Sequence, residues 1–307
     1  GLFHAEIERK QHVGYYLIDS GRMLLERTLG YRTSLMQRGY RWFMDHATII
    51  YLGSISVIGG GILLGLLSYA MNSKATVTEL VLIGLLAFVP AASIAPGIVN
   101  WILTHILKPR VLPKLDFREG IPGSYRTMVV IPALLSDAEE VSSLLHQLEI
   151  HFLSNQDGEL FFALLTDFVD AGTKQHPEDD ALVTQAVDGV IALNEEYLRT
   201  SETGADETRP FFLFHRERVW NPGERAWMGW ERKRGKLEEF NRLLLGRSDT
   251  SFSVQYGDLS ILPTIKYVIT LDADTILPRD SAHRLVGTLA HPLNRACYDP
   301  GSGSISA

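Results

Sequence analysis

Two long stretches without charged residues dominate the N-terminal third of the chain. Residues 47–71 contain no charged side chain, and residues 80–107 contain none apart from the titratable His105. Each stretch exceeds the ~20 apolar residues that a helix needs to cross a bilayer. Neither stretch shows the polar stripe of a helix at the surface of a soluble protein. The pattern therefore predicts a hairpin of two transmembrane helices in a lipid bilayer.

The residues around these spans predict their orientation. Basic residues precede the first span and follow the second; they are Arg38, Arg41, Lys108, Arg110 and Lys114. Because Lys and Arg favour the cytoplasmic side of a membrane, both outer flanks are predicted to be cytoplasmic. Residues 1–46 are charged and amphipathic, and we expect them to form interfacial helices on that face.

From residue 125 onward, apolar runs alternate with helical periods. Apolar runs of four to eight residues predict strands, and 3.6-residue periods predict helices. The predicted strands are 127–132, 159–166, 210–215 and 265–271, and the predicted helices are 137–152, 180–199, 231–245 and 281–290. This alternation is typical of an α/β fold with a mostly parallel, Rossmann-like sheet. The predicted domains are therefore residues 1–46, the hairpin at 47–107, a linker at 108–124 and an α/β domain at 125–307.

Composition narrows the classes of function. The 307 residues carry a net charge of −7, which argues against a general nucleic-acid-binding protein. The single cysteine, Cys297, excludes an internal disulfide and suits a reducing compartment. The chain starts at Gly1 rather than at Met and ends at Ala307. We therefore expect it to be part of a longer polypeptide whose C-terminal part is missing here.

Candidate chemistry lies at the end of the last predicted strand. Asp272 and Asp274 follow the apolar run 267–271, and on an extended chain their side chains point to the same side. The carboxyl ends of strands are where open α/β sheets bind ligands. Two carboxylates there suit a divalent cation, Mg²⁺ or Mn²⁺, that carries a phosphorylated substrate. Pro132 and Asp167, at the ends of two other predicted strands, are expected at the same edge.

A basic segment around a glycine precedes this strand. Its residues are Arg232, Lys233, Arg234, Gly235 and Lys236. Basic side chains neutralise a diphosphate, and a glycine permits close approach of the backbone. A solvated basic surface is the alternative interpretation. Three tryptophans near the segment are candidates for stacking on sugar or base rings, namely Trp220, Trp227 and Trp230.

Three longer strings resemble cyclic β-1,2-glucan synthases, which form glycosyltransferase family 84. They span residues 12–19, 227–238 and 269–275. The order of strand ends, basic glycine segment and acidic pair also resembles the donor half of a GT-A glycosyltransferase of the family 2 type. The resemblance covers essentially the whole chain. It implies a truncated GT-A domain on the cytoplasmic side of a multi-pass protein in the bacterial inner membrane.

The resemblance also implies roles for individual residues. The activity would be an inverting transfer of glucose from UDP-glucose to a growing β-1,2-glucan, an acceptor that the family is thought to build on its own polypeptide. Asp274 and Asp272 would bind Mg²⁺ or Mn²⁺. The family's catalytic base is expected beyond Ala307, so we expect the chain alone to be inactive in polymer synthesis. The residues implied in nucleotide-sugar binding are Pro132, Ala133 and Asp167 at the uridine, Lys233, Arg234, Gly235 and Lys236 at the diphosphate, and Asp272 at the ribose or nucleotide.

Other families share parts of this pattern. Another membrane-bound family 2 synthase, of the cellulose, chitin or hyaluronan type, would have the same strand ends and a different product. A non-catalytic membrane scaffold would bind no nucleotide. A phosphatase of the haloacid dehalogenase type also places two aspartates at a strand end. That class expects Thr or Val where this chain has Ile276, and it expects the motif near the start of the domain.

Overall fold

The computed structural model describes residues 2–109, 111–200, 207–299 and 301–306. Its contacts divide the chain into two compact units, one of Lys10–Leu112 and one of Gly1–Arg9 with Pro113–Ala307. Arg110, one of the predicted flanking basic residues, lies outside the described residues. The domain boundaries proposed from the sequence stay predictions.

Helices follow one another through the N-terminal third. They are α1 (Leu2–Gln11), α2 (Val13–Ile18), α3 (Arg22–Thr28), α4 (Leu35–Asp45), α5 (Ala47–Asn72) and α6 (Val77–Ile106). Helices α5 and α6 are long and apolar enough to cross a membrane. Helix α6 begins three residues before the predicted span, because Thr76 and Glu79 form a capping box at its start. Pro90 and Pro96 lie inside α6, which is helical throughout its length.

The two apolar helices pack against each other. The hydroxyl of Tyr51 donates to the side-chain oxygen of Asn100 at 3.1 Å. A Cβ atom added at Gly59 would lie 3.6 Å from the Cβ of Ala95, so the helices approach closely at small residues. The predicted hairpin of two apolar helices is therefore consistent with these contacts.

The second unit is built on a five-stranded sheet with flanking helices. Its elements are β1 (Thr127–Leu135), α7 (Ala138–Ser154), β2 (Leu160–Phe168), α8 (Asp179–Glu196), β3 (Arg199–Thr200), β4 (Glu207–Thr208), β5 (Phe211–Arg216), β6 (Val219–Asn221), β7 (Ala226–Met228), α9 (Arg232–Leu244), β8 (Phe252–Tyr256), β9 (Tyr267–Thr270), α10 (Ser281–Ala290), β10 (Cys297–Asp299) and β11 (Ser304–Ser306). The strand order is β8-β5-β2-β1-β9, in which β8 is antiparallel to its neighbour and the other pairs are parallel. The predicted α/β, Rossmann-like fold is confirmed.

The sheet is buried on both faces, which explains why its strands read as continuous apolar runs. Val129 and Ile131 of β1 belong to a core that includes residues of α7, α8 and α10. Met128 and Val130 belong to a second core, together with Phe240 of α9. Neighbouring residues of one strand thus pack on opposite faces, as the period of two requires.

Strand β1 does not end at Pro132, as the sequence suggested, but continues to Leu135. The backbone N–H of Leu271 donates to the carbonyl oxygen of Val130 at 3.0 Å, so alternate residues of β1 direct their backbone groups towards β9. Pro132, two residues after Val130, is the next residue of β1 whose backbone groups face the side of β9. Strand β9 already ends at Thr270, so the missing N–H of proline removes no ladder bond there.

Short strands were missed in the sequence, among them β8, β6 and β7. Strand β8 lies at the edge of the sheet, and its burial alternates with a period of two. Strands β6 and β7 form an antiparallel hairpin of three residues on each side. Runs this short carry little periodicity, and so pattern reading alone does not separate them from loops.

Candidate active site at the carboxyl edge of the sheet

The order of the strands creates a topological switch between β1 and β9. Strands β2 and β5 lie on one side of β1, and β9 lies on the other. Ligands of open α/β sheets bind outside the carboxyl ends of the strands at such a point. Two lysines of α9 contact the two strands that flank this switch point, one at β1 and the other just after β9. The Nζ atom of Lys236 donates to the carbonyl oxygen of Ala133 at 2.5 Å, and Lys233 forms an ion pair with Asp272.

A buried cluster of four charges lies beside this point. Arg216 donates from Nε and Nη2 to the two carboxylate oxygens of Asp167, at 2.7 and 2.9 Å. The Nη1 atom of Arg216 also donates to Glu239 at 3.1 Å, and Nζ of Lys236 lies 3.1 Å from Asp167. The Arg216 and Asp167 side chains are 0% and 2% exposed. Because two cations face two carboxylates, the charges balance, which a buried ionic cluster requires.

Lys236 has a shifted pKa in this environment. Burial lowers the pKa of Lys236 to about 8, although the nearby Asp167 carboxylate acts in the opposite direction. The burial effect dominates because a buried ammonium has lost its hydration. Below pH 8 the lysine is charged, and it contributes a positive field at the ends of β1 and β2.

Glycines are required where the segment before α9 crosses this cluster. A Cβ atom at Gly229 would lie 2.6 Å from the carboxyl carbon of Asp167. A Cβ atom at Gly235 would lie 2.0 Å from the carbonyl oxygen of Trp230. In this structure Gly235 permits a close approach between two parts of the backbone of the chain itself.

The turn into α9 has a strained backbone. Glu231 and Arg232 have φ values of 51° and 47°, in the left-handed region that disfavours side chains larger than glycine. Such residues cost about 1–3 kcal/mol each and persist where surrounding contacts hold them. Arg216 supplies such contacts, because its guanidinium donates to the carbonyl oxygens of Trp230 at 3.1 Å and Arg232 at 3.0 Å.

The two aspartates after β9 lie on a turn. Strand β9 ends at Thr270, and the N–H of Thr275 donates to the carbonyl oxygen of Asp272 at 2.9 Å. We expected an extended chain at this point, which would put the two side chains on the same side. That expectation is wrong, because the chain turns here. Both Asp272 and Asp274 are exposed, so their carboxylates are accessible to a ligand.

The acidic pair has the donor chemistry for a hard divalent cation. Within the described part of the chain, no three His, Cys, Asp or Glu side chains gather around a possible metal position. Mg²⁺ is commonly held by one or two protein carboxylates, with substrate phosphates and water as its remaining ligands. Asp272 and Asp274 fit that mode of binding, because the remaining ligands would come from a diphosphate.

The remaining residues predicted for the site differ in how deeply they are buried. Pro132 is buried inside β1, next to Ala133, and presents no polar group to the edge. The side chain of Arg234 is 74% exposed and lies 3.3 Å from Glu231. Arg234 thus lies on the outer surface of the turn, whereas Asp167 and Lys236 belong to the buried cluster.

Comparison with known proteins identifies a relative that covers nearly the whole chain. The cyclic beta-(1,2)-glucan synthase NdvB of Rhizobium meliloti (strain 1021) is 37% identical over an alignment of 299 residues, which covers 95% of this chain. This chain is a homologue of part of a cyclic β-1,2-glucan synthase. The aligned residues span 10% of the length of that relative. No model of a known protein family matches the chain. The resemblance to cyclic β-1,2-glucan synthases that was inferred from the sequence is confirmed.

Sequence reasoning missed two members of the buried charge cluster, Arg216 and Glu239. Arg216 ends the buried run 211–216, and a charged residue at the end of such a run was the available signal. Glu239 accepts from the backbone N–H and the hydroxyl of Ser251 at 2.6 and 2.7 Å. Nothing local in α9 distinguishes this glutamate from an exposed one.

Proposed function

We propose that this synthase segment binds UDP-glucose at the switch point between β1 and β9 and takes part in transferring glucose to a growing β-1,2-glucan. The observation that carries the proposal is the meeting of four chain regions there. The end of β1, the end of β2, the start of α9 and the turn after β9 are connected by Lys236 and Lys233. Helices α5 and α6 anchor the protein in the bacterial inner membrane, with the α/β unit on the cytoplasmic side.

The exposed basic residues of α9 are proposed to bind the diphosphate. Lys233 and Arg234 are half or more exposed, and their present partners are single carboxylates. A diphosphate carries more charge than one carboxylate and competes for Lys233, which frees Asp272 for the nucleotide and its cation. Lys236 stays beneath the site and adds its positive field without leaving Asp167.

The uridine is proposed to lie over the ends of β1 and β2. Pro132 and Ala133 form the floor on the β1 side, and Asp167 forms it on the β2 side. Because Arg216 and Lys236 occupy the Asp167 carboxylate, this floor is rigid before the donor arrives. A preformed site of this kind loses less entropy on binding.

The acidic pair is proposed to hold the cation of the donor. A Mg²⁺ or Mn²⁺ ion held by Asp274 and Asp272 would stabilise the departing UDP as a Lewis acid. A β-linkage made from an α-linked sugar nucleotide requires inversion by direct displacement. That displacement also requires a base that deprotonates the acceptor hydroxyl, and we assign no residue to this role.

The test is a titration of UDP into the 307-residue chain in detergent micelles, with and without Mn²⁺. The wild-type chain is expected to bind UDP more tightly when Mn²⁺ is present. Replacing one metal-binding carboxylate, Asp274→Ala, is expected to weaken binding in Mn²⁺ by about tenfold, or 1.4 kcal/mol. With EDTA in place of Mn²⁺, the two proteins should bind UDP equally.

A matched control is Asp188→Ala, which removes an exposed aspartate from α8. Its UDP affinity should equal that of the wild type under both conditions. Equal affinities of wild type and Asp274→Ala in Mn²⁺ would exclude the proposed cation site. No UDP binding by the wild type would favour a non-catalytic scaffold instead.

A further inference from the structure

The hairpin of β6 and β7 presents two tryptophans side by side. Trp220 and Trp227 are directly opposite each other in the antiparallel register. Residues opposite each other in an antiparallel pair project from the same face of the hairpin. Their ring centroids are 5.8 Å apart, and the rings are inclined by 57°. Trp220 is 45% exposed, so a large part of this aromatic surface faces solvent.

The hairpin is held in a defined position by backbone bonds. The N–H and carbonyl groups of Trp227 exchange hydrogen bonds with Ala171, at 2.8 and 2.9 Å, in the segment that follows β2. At the tip, the side-chain oxygen of Asn221 accepts from the N–H groups of Gly223 and Glu224, at 2.9 and 3.3 Å. The two indoles are thus presented on a structured element.

Polar groups connect the hairpin to the proposed donor site. The Nη2 atom of Arg232 donates to Asp170 at 2.9 Å and to Glu224, at the hairpin tip, at 2.6 Å. All three side chains are at least 39% exposed. The next residue, Lys233, is the one that pairs with Asp272. Arg232, which contacts the hairpin tip, is therefore the immediate chain neighbour of the basic residue proposed to bind the diphosphate.

These features match the surface of a sugar ring. A glucose ring has a face of C–H groups that packs on an indole, and a rim of hydroxyls that hydrogen-bonds to carboxylates and guanidinium groups. The hairpin carries both kinds of group, since it presents two indoles on one face and the carboxylate of Glu224, paired with Arg232, at its tip. We infer that Trp220 and Trp227 form a stacking platform for a glucose unit of the glucan acceptor, beside the donor site. This inference rests on the proposed function for the identity of the acceptor.

The test measures the binding of two ligands, each in a separate titration, to the 307-residue chain in detergent micelles. The first is a linear oligosaccharide of β-1,2-linked glucose, and the second is UDP with Mn²⁺. Trp220→Ala is expected to weaken oligosaccharide binding by about tenfold and to leave UDP binding unchanged. Trp220→Phe keeps a flat ring and should retain most of the affinity for the oligosaccharide. Trp42→Ala removes a tryptophan from α4 that is even more exposed than Trp220, and it should change neither affinity.

Each result has a defined meaning. Equal oligosaccharide binding by wild type and Trp220→Ala, or no binding by the wild type, would overturn the platform. Loss of both ligands in Trp220→Ala, with both retained in Trp220→Phe, would assign the indole to the uracil ring and would also overturn it. Oligosaccharide binding that depends on Trp220 in a chain that does not bind UDP would support the platform and refute the proposed donor site.

Discussion

Arg216 is predicted to be the residue on which the stability of the α/β unit depends most strongly. Its side chain is fully buried and donates to Asp167, to Glu239 and to two backbone carbonyl groups of the turn before α9. Arg216→Met keeps an unbranched side chain and removes the charge. The substitution leaves two buried carboxylates with one buried cation, Lys236, so one negative charge is not compensated.

The magnitude follows from the partners that remain. Removing one partner of a buried ion pair costs about 3–5 kcal/mol. Lys236 still pairs with Asp167, and Ser251 still donates twice to Glu239, so we expect the lower end, about 3 kcal/mol. Domains have stabilities of about 5–15 kcal/mol, and 1 kcal/mol corresponds to about 2–4 °C in a unit of this size. The melting temperature should therefore fall by about 6–12 °C.

The assay is thermal unfolding of the whole chain in detergent, followed by near-ultraviolet circular dichroism of the tryptophans. Arg247→Met is the matched control, because this arginine is 62% exposed and forms an ion pair with the exposed Asp249 at 3.3 Å. The control should change stability by less than about 0.5 kcal/mol. A second substitution, Glu239→Gln, tests the charge argument, because the double variant Arg216→Met/Glu239→Gln has a balanced cluster again.

The double variant is expected to be at least about 1 kcal/mol more stable than the sum of the two single changes, since their effects are coupled through one cluster. The reasoning is refuted if Arg216→Met costs less than about 1 kcal/mol, or if the two single effects simply add. Either result would mean that water or backbone movement compensates the unpaired carboxylates.

Two further predictions concern the same cluster. Gly229→Ala places a methyl group 2.6 Å from the Asp167 carboxyl carbon, so it should lower stability by about 1–3 kcal/mol in the same unfolding assay. The control is Gly172→Ala, which should not lower stability, because no atom lies within 4 Å of the added methyl group. Equal melting temperatures of these two variants would contradict the predicted clash. Burial lowers the pKa of Lys236 to about 8 in the folded chain from its usual value of 10.5. Between these two values the unfolded chain binds the extra proton, so stability rises with pH. From pH 7 to about 9.5 the wild type should gain about 2 kcal/mol relative to Lys236→Met, and parallel pH profiles of the two proteins would show that the lysine does not titrate there.

The architecture could be derived from the sequence because its determinants are local. A charge-free stretch such as 47–71 indicates a helix long and apolar enough to cross a membrane without knowledge of any partner. Runs such as 127–132 indicate strands of a sheet that is buried on both faces. Once the strands are parallel, their carboxyl ends must meet at one edge. The placement of Pro132 and Asp167, on neighbouring parallel strands, towards one edge was predictable for this reason.

The details of the site could not be derived, because they depend on residues far apart in the chain. Asp167 and Arg216 are 49 residues apart, and no local pattern indicates that they pair. The strained backbone at Glu231 and Arg232 is likewise flanked by hydrogen bonds from Arg216, which lies 14 and 16 residues away from their acceptors in the chain.

The sequence by itself determined the apolar hairpin, the α/β class and the set of residues at the carboxyl edge, since periodicity and strand direction are properties of the chain. The tertiary structure decided which of those residues are buried and which are accessible. Asp167 and Lys236 balance charge inside the unit, whereas Lys233, Asp272 and Asp274 remain exposed at its surface. The physical reason is that a charge is buried only where an opposite charge meets it in three dimensions, and that meeting is set by the packing of α9 across the ends of β1 and β2.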